Sequence, residues 1–198
     1  VAARLADLQL AVHGPEQVAL LQAAPSGAPL TVWLKLNTGM NRLGFRPPEA
    51  LRVWRQLKAL PAVSAIHLMT HFSRADELAS NQTELQWGRF SAVRDALNLQ
   101  QGMPLTTSVA NSAAILAWPQ TQSDWMRPGI ALYGSSPFAE QTAESLGLQP
   151  VMTLHSRVIA VHSLQAGDEV GYGAAWVADA PARIAVVAIG YGDGYPRH

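Results

Sequence analysis

Residues 125–134 read Trp-Met-Arg-Pro-Gly-Ile-Ala-Leu-Tyr-Gly, and the fold turns on how this stretch is taken. Ile130 to Tyr133 has the content of a buried strand, entered through the turn Arg127-Pro128-Gly129. A guanidinium carried into such a position must meet an anion or an acceptor, because burying the charge alone is prohibitively costly. Pro128 removes one backbone donor, and Gly129 lets a ligand approach the main chain. Two readings stand on this stretch alone: Arg127 pairs with a carboxylate at a rim, or it faces a bound anion.

Four apolar runs lead up to it, at 8–12, 30–36, 63–70 and 105–109, and helical patterns separate them. Pro15-Glu16 opens a helix to Gln22, with proline in the first turn. Pro47-Pro48-Glu49 opens another, with Leu51, Trp54 and Leu57 on one face. Asn81 caps a longer one striped by Phe90, Val93 and Leu97, and a short apolar helix runs to Trp118. Five strands with near-continuous apolar cores and intervening helices predict a parallel sheet covered on both faces. Polar residues gather where the strands end: Lys35 and Arg42, His71, Asn111 and Ser112, Arg127. Active sites of β/α barrels are built there, with a ligand phosphate commonly in the loops of the last strands.

The fold class expected is α/β: a partial (β/α)8 TIM-type barrel over 1–149, then a truncated, mostly antiparallel β-domain over 150–198. In the second part the strands read at 151–164, 169–176 and 182–189, with turns at 165–168 and 178–181. A full barrel needs eight units, so three, or roughly ninety residues, are expected to lie elsewhere. A start at Val1 and a stop inside a Gly/Tyr-rich loop read as a fragment. The alternative, an open doubly wound sheet, lacks the glycine fingerprint after its first strand.

Hydrophobic residues make up 48% of the chain and charged ones 14%, which suits a globular protein with a large core. Formal net charge is zero, so neither nucleic acid nor an acidic membrane surface is expected as partner. The absence of cysteine excludes disulfides and thiolate chemistry and is compatible with a reducing cytoplasm, the location expected.

Lys35 and Arg42 bracket Leu36-Asn37-Thr38-Gly39-Met40-Asn41. Two neighbouring cations repel unless an anion lies between them; a substrate carboxylate, a phosphate or a carbamate on the lysine would serve, and a solvated basic rim is the plain alternative. His67 and His71 stand four apart, a metal spacing on a helix, but here in a strand with no completing ligands, so no metal is expected. His67 reads as a core histidine, His71 as a hydrogen-bond partner for Arg127. Tyr172, Tyr191 and Tyr195 are each flanked by glycine, a setting that presents a hydroxyl on bare backbone or places an aromatic in a surface turn.

These motifs together resemble the alanine racemase family: residues 35–44, Thr70-His71-Phe72, Asn111-Ser112, residues 127–134, Val170-Gly171-Tyr172-Gly173-Ala174 and residues 190–197, in that order. The resemblance implies a β/α barrel followed by a β-domain, pyridoxal 5′-phosphate held as a Schiff base by a lysine, and a homodimer with shared active sites. The chain has two lysines, Lys35 at the position the family often carbamylates and Lys58 in a helix, so the Schiff-base lysine is expected outside it and the chain alone is expected to be inactive.

Position by position, the resemblance implies that Arg127 bonds the pyridine nitrogen. Ser112 and Asn111, with the backbone at Gly129 and Ile130, hold the phosphate. Arg42, steadied by Lys35, sits near the cofactor's phenolic oxygen and the substrate carboxylate. Tyr172 is the second catalytic base, supported by His71, and Asp76, Arg197 and Tyr191 line the substrate corridor. Racemisation needs a proton taken from one face of the α-carbon and returned to the other, and a tyrosine, which titrates near ~10 when free, serves as a base only where cations favour its phenolate. An arginine at the pyridine nitrogen keeps that nitrogen neutral, which suits proton exchange better than decarboxylation or transamination. The expected reaction is therefore interconversion of L- and D-alanine, for cell-wall supply in a bacterium or for catabolism. A racemase of another amino acid such as serine stands as the alternative, as does a same-fold decarboxylase, although that reading predicts an acid where Arg127 stands.

Overall fold

In the computed structural model, which describes residues 2–196, the chain divides into two compact units, one ending at Val151 and the other beginning at Met152. The first opens with a short helix, α1 (Ala2–Leu5), then β1 (Leu10–Val12), α2 (Pro15–Gln22) and β2 (Leu30–Lys35). It continues through α3 (Ala50–Lys58), β3 (Val63–Met69), α4 (Gln82–Gln101), β4 (Thr107–Ser108) and α5 (Ser112–Ala117). The four strands are parallel and lie in the order β1-β2-β3-β4. Sequential order without reversal is the winding of a barrel rather than of a doubly wound sheet.

Alternation along the strands divides their side chains. Val32, Leu34, Ile66 and Leu68 are buried and join Val53, Trp54 and Leu57 of α3 and Phe90 and Leu97 of α4 in one core. Trp33, Lys35, His67 and Met69 occupy the other face, with Trp33 opposite His67 and Lys35 opposite Met69. That second face carries Lys35 at the strand's C-terminal end. Lys58 closes α3 over the Trp54 ring, away from the strand ends.

Ile130–Tyr133 is not a strand. It is a single 3-10 turn closed by left-handed Gly134, and Ile130, Leu132 and Tyr133 are 48%, 61% and 60% exposed. The cause is a side chain from the start of α5: the Gly129 and Ala131 N–H groups both donate to Ser112 Oγ and are lost to any ladder. The fifth strand position falls earlier, where Trp125 bridges Ser108 in parallel; Trp125 N–H donates to Thr107 O at 3.0 Å and Arg127 N–H to Ala110 O at 2.9 Å.

The second unit pairs β5 (Val158–Leu164) with β8 (Ala182–Val187), antiparallel, and β6 (Glu169–Val170) with β7 (Trp176–Val177). Residues 151–157 form no strand, and the strand expected at 169–176 is interrupted by a 3-10 turn at Tyr172–Ala174. Gly171, Gly173 and Ala174 all have positive φ there (81°, 67° and 49°), which reverses the chain too sharply for a continuous ladder. Among the described residues no helix is long and apolar enough to cross a membrane.

Candidate active site

The polar residues of the first unit meet at the C-terminal ends of β2, β3 and β4. Behind β2 the chain makes a tight return. Asn37 Oδ1 accepts from the N–H of Gly39 (3.2 Å) and Asn41 (3.0 Å), and Asn41 adopts a left-handed φ of 58°. Gly44, at φ 117°, packs against the main chain of Lys35 and Leu36, where a Cβ would meet backbone atoms at 2.7 Å. Phe45 N–H then donates to Lys35 O at 2.9 Å, which brings Arg42 back beside Lys35.

Arg127 lies half-buried across the ends of β3 and β4. Its Nη1 donates to Ser108 Oγ and its Nη2 to Thr70 O and, at 3.3 Å, to Val109 O. The same Nη2 is 3.4 Å from His71 Nδ1. These are acceptors, not a carboxylate, so the rim ion pair is not what the structure holds. Burial still pulls Arg127 below its ordinary value.

His71 is pushed down to about 4 by burial first, then by Arg127, Lys35 and Arg42. The imidazole is therefore neutral near pH 7. Since Nδ1 faces a guanidinium that only donates, Nδ1 accepts and Nε2 carries the proton. Lys35 is lowered by burial and then by Arg127 and Arg42. Lys35, Arg42 and Arg127 make no ion pair with an acid among the described residues; the salt bridges there join Arg52–Glu49, Arg74–Glu77 and Arg94–Asp95. Three cations around a neutral histidine call for an anion.

Ser112, at the start of α5, accepts from Gly129 N–H at 2.8 Å and Ala131 N–H at 3.2 Å, so its own proton is left to point elsewhere. Asn111 caps the same helix, its Oδ1 accepting from Ala114 N–H at 3.0 Å. A Cβ built on Gly129 would meet nothing within 4 Å, so a ligand has room against that backbone. A hydroxyl, exposed backbone and unpaired cations fit a phosphorylated pyridine, and pyridoxal 5′-phosphate passes this test of donor chemistry.

Other candidate residues are placed apart. Asp76 is exposed between β3 and α4 and makes none of the contacts above. Ile130 lies in the 3-10 turn beyond Gly129. His67 packs edge-on against Trp33 at 4.8 Å, and burial lowers it while Asp124 raises it. Tyr172 and Tyr191 belong to the second unit, 89% and 70% exposed, each in a 3-10 turn. Arg197 lies outside the described residues.

Sequence reasoning missed the support beneath the cluster: Thr38, Thr70, Gln86 and Ser108, all buried. Gln86 had a signal. It stands four residues before Phe90, on the stripe that runs through Val93 and Leu97, and a polar residue on an apolar stripe asks for partners.

The comparisons with known proteins come down on one family. Residues 1–137 match the model "Alanine racemase, N-terminal domain" and residues 151–198 match "Alanine racemase, C-terminal domain". The chain is 49% identical to an alanine racemase of Hahella chejuensis, over 98% of its own length and 53% of the relative's. It is 53% identical to one of Nitrosospira multiformis, over 96% of the chain and 52% of the relative. It superposes on the crystal structure of the biosynthetic alanine racemase from Pseudomonas aeruginosa with a TM-score of 0.88 and 45% identity, covering 99% of this chain and 53% of that one. The chain thus spans about half the length of the curated relatives it matches.

Proposed function

Because this chain belongs to the alanine racemase family, we propose that its protein interconverts L- and D-alanine, with pyridoxal 5′-phosphate held at the strand ends of the first unit. The observation that carries the proposal is the convergence of Lys35, Arg42 and Arg127 on neutral His71 with no compensating acid paired to them among the described residues. Residues 1–149 supply the C-terminal part of the cofactor-binding barrel and residues 150–198 begin the β-domain.

When bound, the cofactor draws electrons from the α-carbon and so acidifies its C–H bond. The chain's own residues do the rest. Arg127 would face the pyridine nitrogen with a group that does not give up its proton, which would keep the electron demand modest. Ser112 and Asn111, with the backbone N–H of Ile130 and the open space at Gly129, would hold the phosphate. Lys35, held below its ordinary value by burial and by Arg127 and Arg42, gives up its proton more readily and is suited to add carbon dioxide as a carbamate with release of protons to solvent, which turns a repelling cation into an anion for Arg42. Arg42 then orients the substrate carboxylate. Tyr172 holds or takes the proton on one face, with His71 relaying the influence of Arg127. Tyr191, Asp76 and Arg197 line the approach. The opposite base and cofactor anchor is a lysine other than Lys35 and Lys58. The active form is a cytoplasmic homodimer in which Tyr172 serves the partner's site, a reciprocal arrangement that two-fold symmetry supplies twice over.

The test is direct. Protein expressed from the whole reading frame is mixed with pyridoxal 5′-phosphate and L-alanine, and the D-alanine formed is measured by D-amino-acid oxidation. Approach to equal amounts of both enantiomers supports the proposal. A cofactor-loaded protein that leaves L-alanine unchanged overturns it.

A further inference from the structure

Gln86 is fully buried on α4, and its amide is bonded four times. Oε1 accepts from Ser73 N–H and from Ser73 Oγ, both at 2.9 Å. Nε2 donates to His71 O at 3.1 Å and to Thr38 Oγ1 at 3.2 Å. One helix side chain therefore joins the segment after β2 to the segment after β3.

The chain of bonds has a direction. Thr70 Oγ1 donates to Leu36 O at 3.0 Å, which uses its only proton. In the Thr38–Thr70 hydroxyl pair, 2.8 Å apart, Thr38 must then be the donor. It follows that Thr38 Oγ1 receives from Gln86, and the sequence runs Gln86 to Thr38 to Thr70 to Leu36. Arg89, one turn on, donates to Thr38 O at 2.8 Å and holds the same segment from outside. The far end fixes Leu36, next to Lys35, and the residue in the middle is Thr70, whose carbonyl receives Arg127. A buried network with every member satisfied has one geometry, and a mismatch at one end is felt at the other.

We infer that Gln86 is a positioning residue for the cationic site: its amide sets the main chain at His71 and, through Thr38 and Thr70, the carbonyl that receives Arg127. The inference rests on reading that site as the racemase centre, but its structural half is measurable without turnover. Gln86 touches neither substrate nor cofactor in this account; it acts through the two segments it joins.

Gln86→Met keeps length and burial and removes all four bonds. In protein from the whole reading frame, the His71 ring resonances and titration midpoint are followed by NMR, with His67 as internal control. The expected result is a moved His71 midpoint, an unmoved His67, and a kcat for alanine reduced by about tenfold to a hundredfold with KM little changed, the cost of a displaced catalytic frame. Gln86→Glu should regain activity as the pH falls, when the protonated carboxyl supplies one donor in place of the amide. An unaltered His71 titration and kcat, with only a lower Tm, overturns the inference and leaves Gln86 as a staple. If Gln86→Met does not fold, Thr38→Val cuts the same chain one link on and is read the same way. If the unmutated protein is inactive on alanine yet His71 moves in Gln86→Met, the racemase reading fails and the positioning stands.

Discussion

Arg127 Nη2 and His71 Nδ1 lie 3.4 Å apart, a permanent cation against an imidazole that must be neutral to receive its N–H. Around that pair the ends of three strands share one electrostatic problem, an excess of positive charge in a partly buried place.

The first prediction concerns the histidine. The folded state binds the His71 proton less tightly than an unfolded chain does, with a midpoint of about 4 against the ordinary 6.5. Its contribution to stability is therefore fully present above the unfolded value and declines as the pH falls from there toward about 4. NMR titration should show His71 taking up its proton well below the ordinary imidazole value, at about 4. In Arg127→Gln the midpoint should rise only part of the way, because burial is the larger cause. A normal midpoint in the unmutated protein would contradict the geometry.

Arg127→Glu offers the pyridine nitrogen a group that can hold it protonated. A hydrogen bond to a charged group is worth about 1.5–3 kcal/mol, so kcat/KM for racemisation should fall by roughly tenfold to a hundredfold. Stronger electron demand should also open side reactions, seen as pyruvate accumulating from alanine. A variant that racemised normally and formed no pyruvate would remove Arg127 from the ring nitrogen.

Lys35 is predicted to carry a carbamate. Labelled 13C-bicarbonate should give a carbamate resonance that Lys35→Met abolishes, and that variant should bind substrate more weakly because Arg42 loses its counter-charge. A spectrum indifferent to the substitution rules the modification out.

Much of this frame was legible from residue types. Pro15 marked a helix start, Pro47 opened the 3-10 turn that leads into α3, and the apolar runs at 30–36 and 63–70 fell on β2 and β3 to within a residue. Asn81 stood at the helix start, but its side chain makes no capping bond there. Illegible were the places where a distant side chain decides. Ile130 to Tyr133 has a strand's composition, and only Ser112, drawing off two backbone N–H groups, makes it a turn. Tyr172 was noticed through its glycines, yet the break they impose on the strand depends on three positive φ angles in four residues. Gln86 stood out only as a polar residue on an apolar stripe; which groups it binds was illegible, since its partners come from two other segments.

Tyr172 is predicted to act across a dimer. Tyr172→Phe should lower kcat by about a hundredfold to ten-thousandfold, the range for loss of a positioned base. Mixing that variant with subunits lacking the Schiff-base lysine should restore activity after subunit exchange, with the heterodimers at about half the normal value, since one of their two sites then has both bases. Proven exchange without recovery would place the tyrosine in its own chain's site.

The central claim, that this site moves a proton off and onto the α-carbon of alanine and does nothing else, is tested most directly by NMR of L-alanine in D2O with the cofactor-loaded protein from the whole reading frame. The account predicts that the α-proton signal disappears as deuterium replaces it, while D-alanine appears and the carboxylate and amine are retained. Retention of the α-proton, or loss of alanine to pyruvate or to an amine, would contradict it.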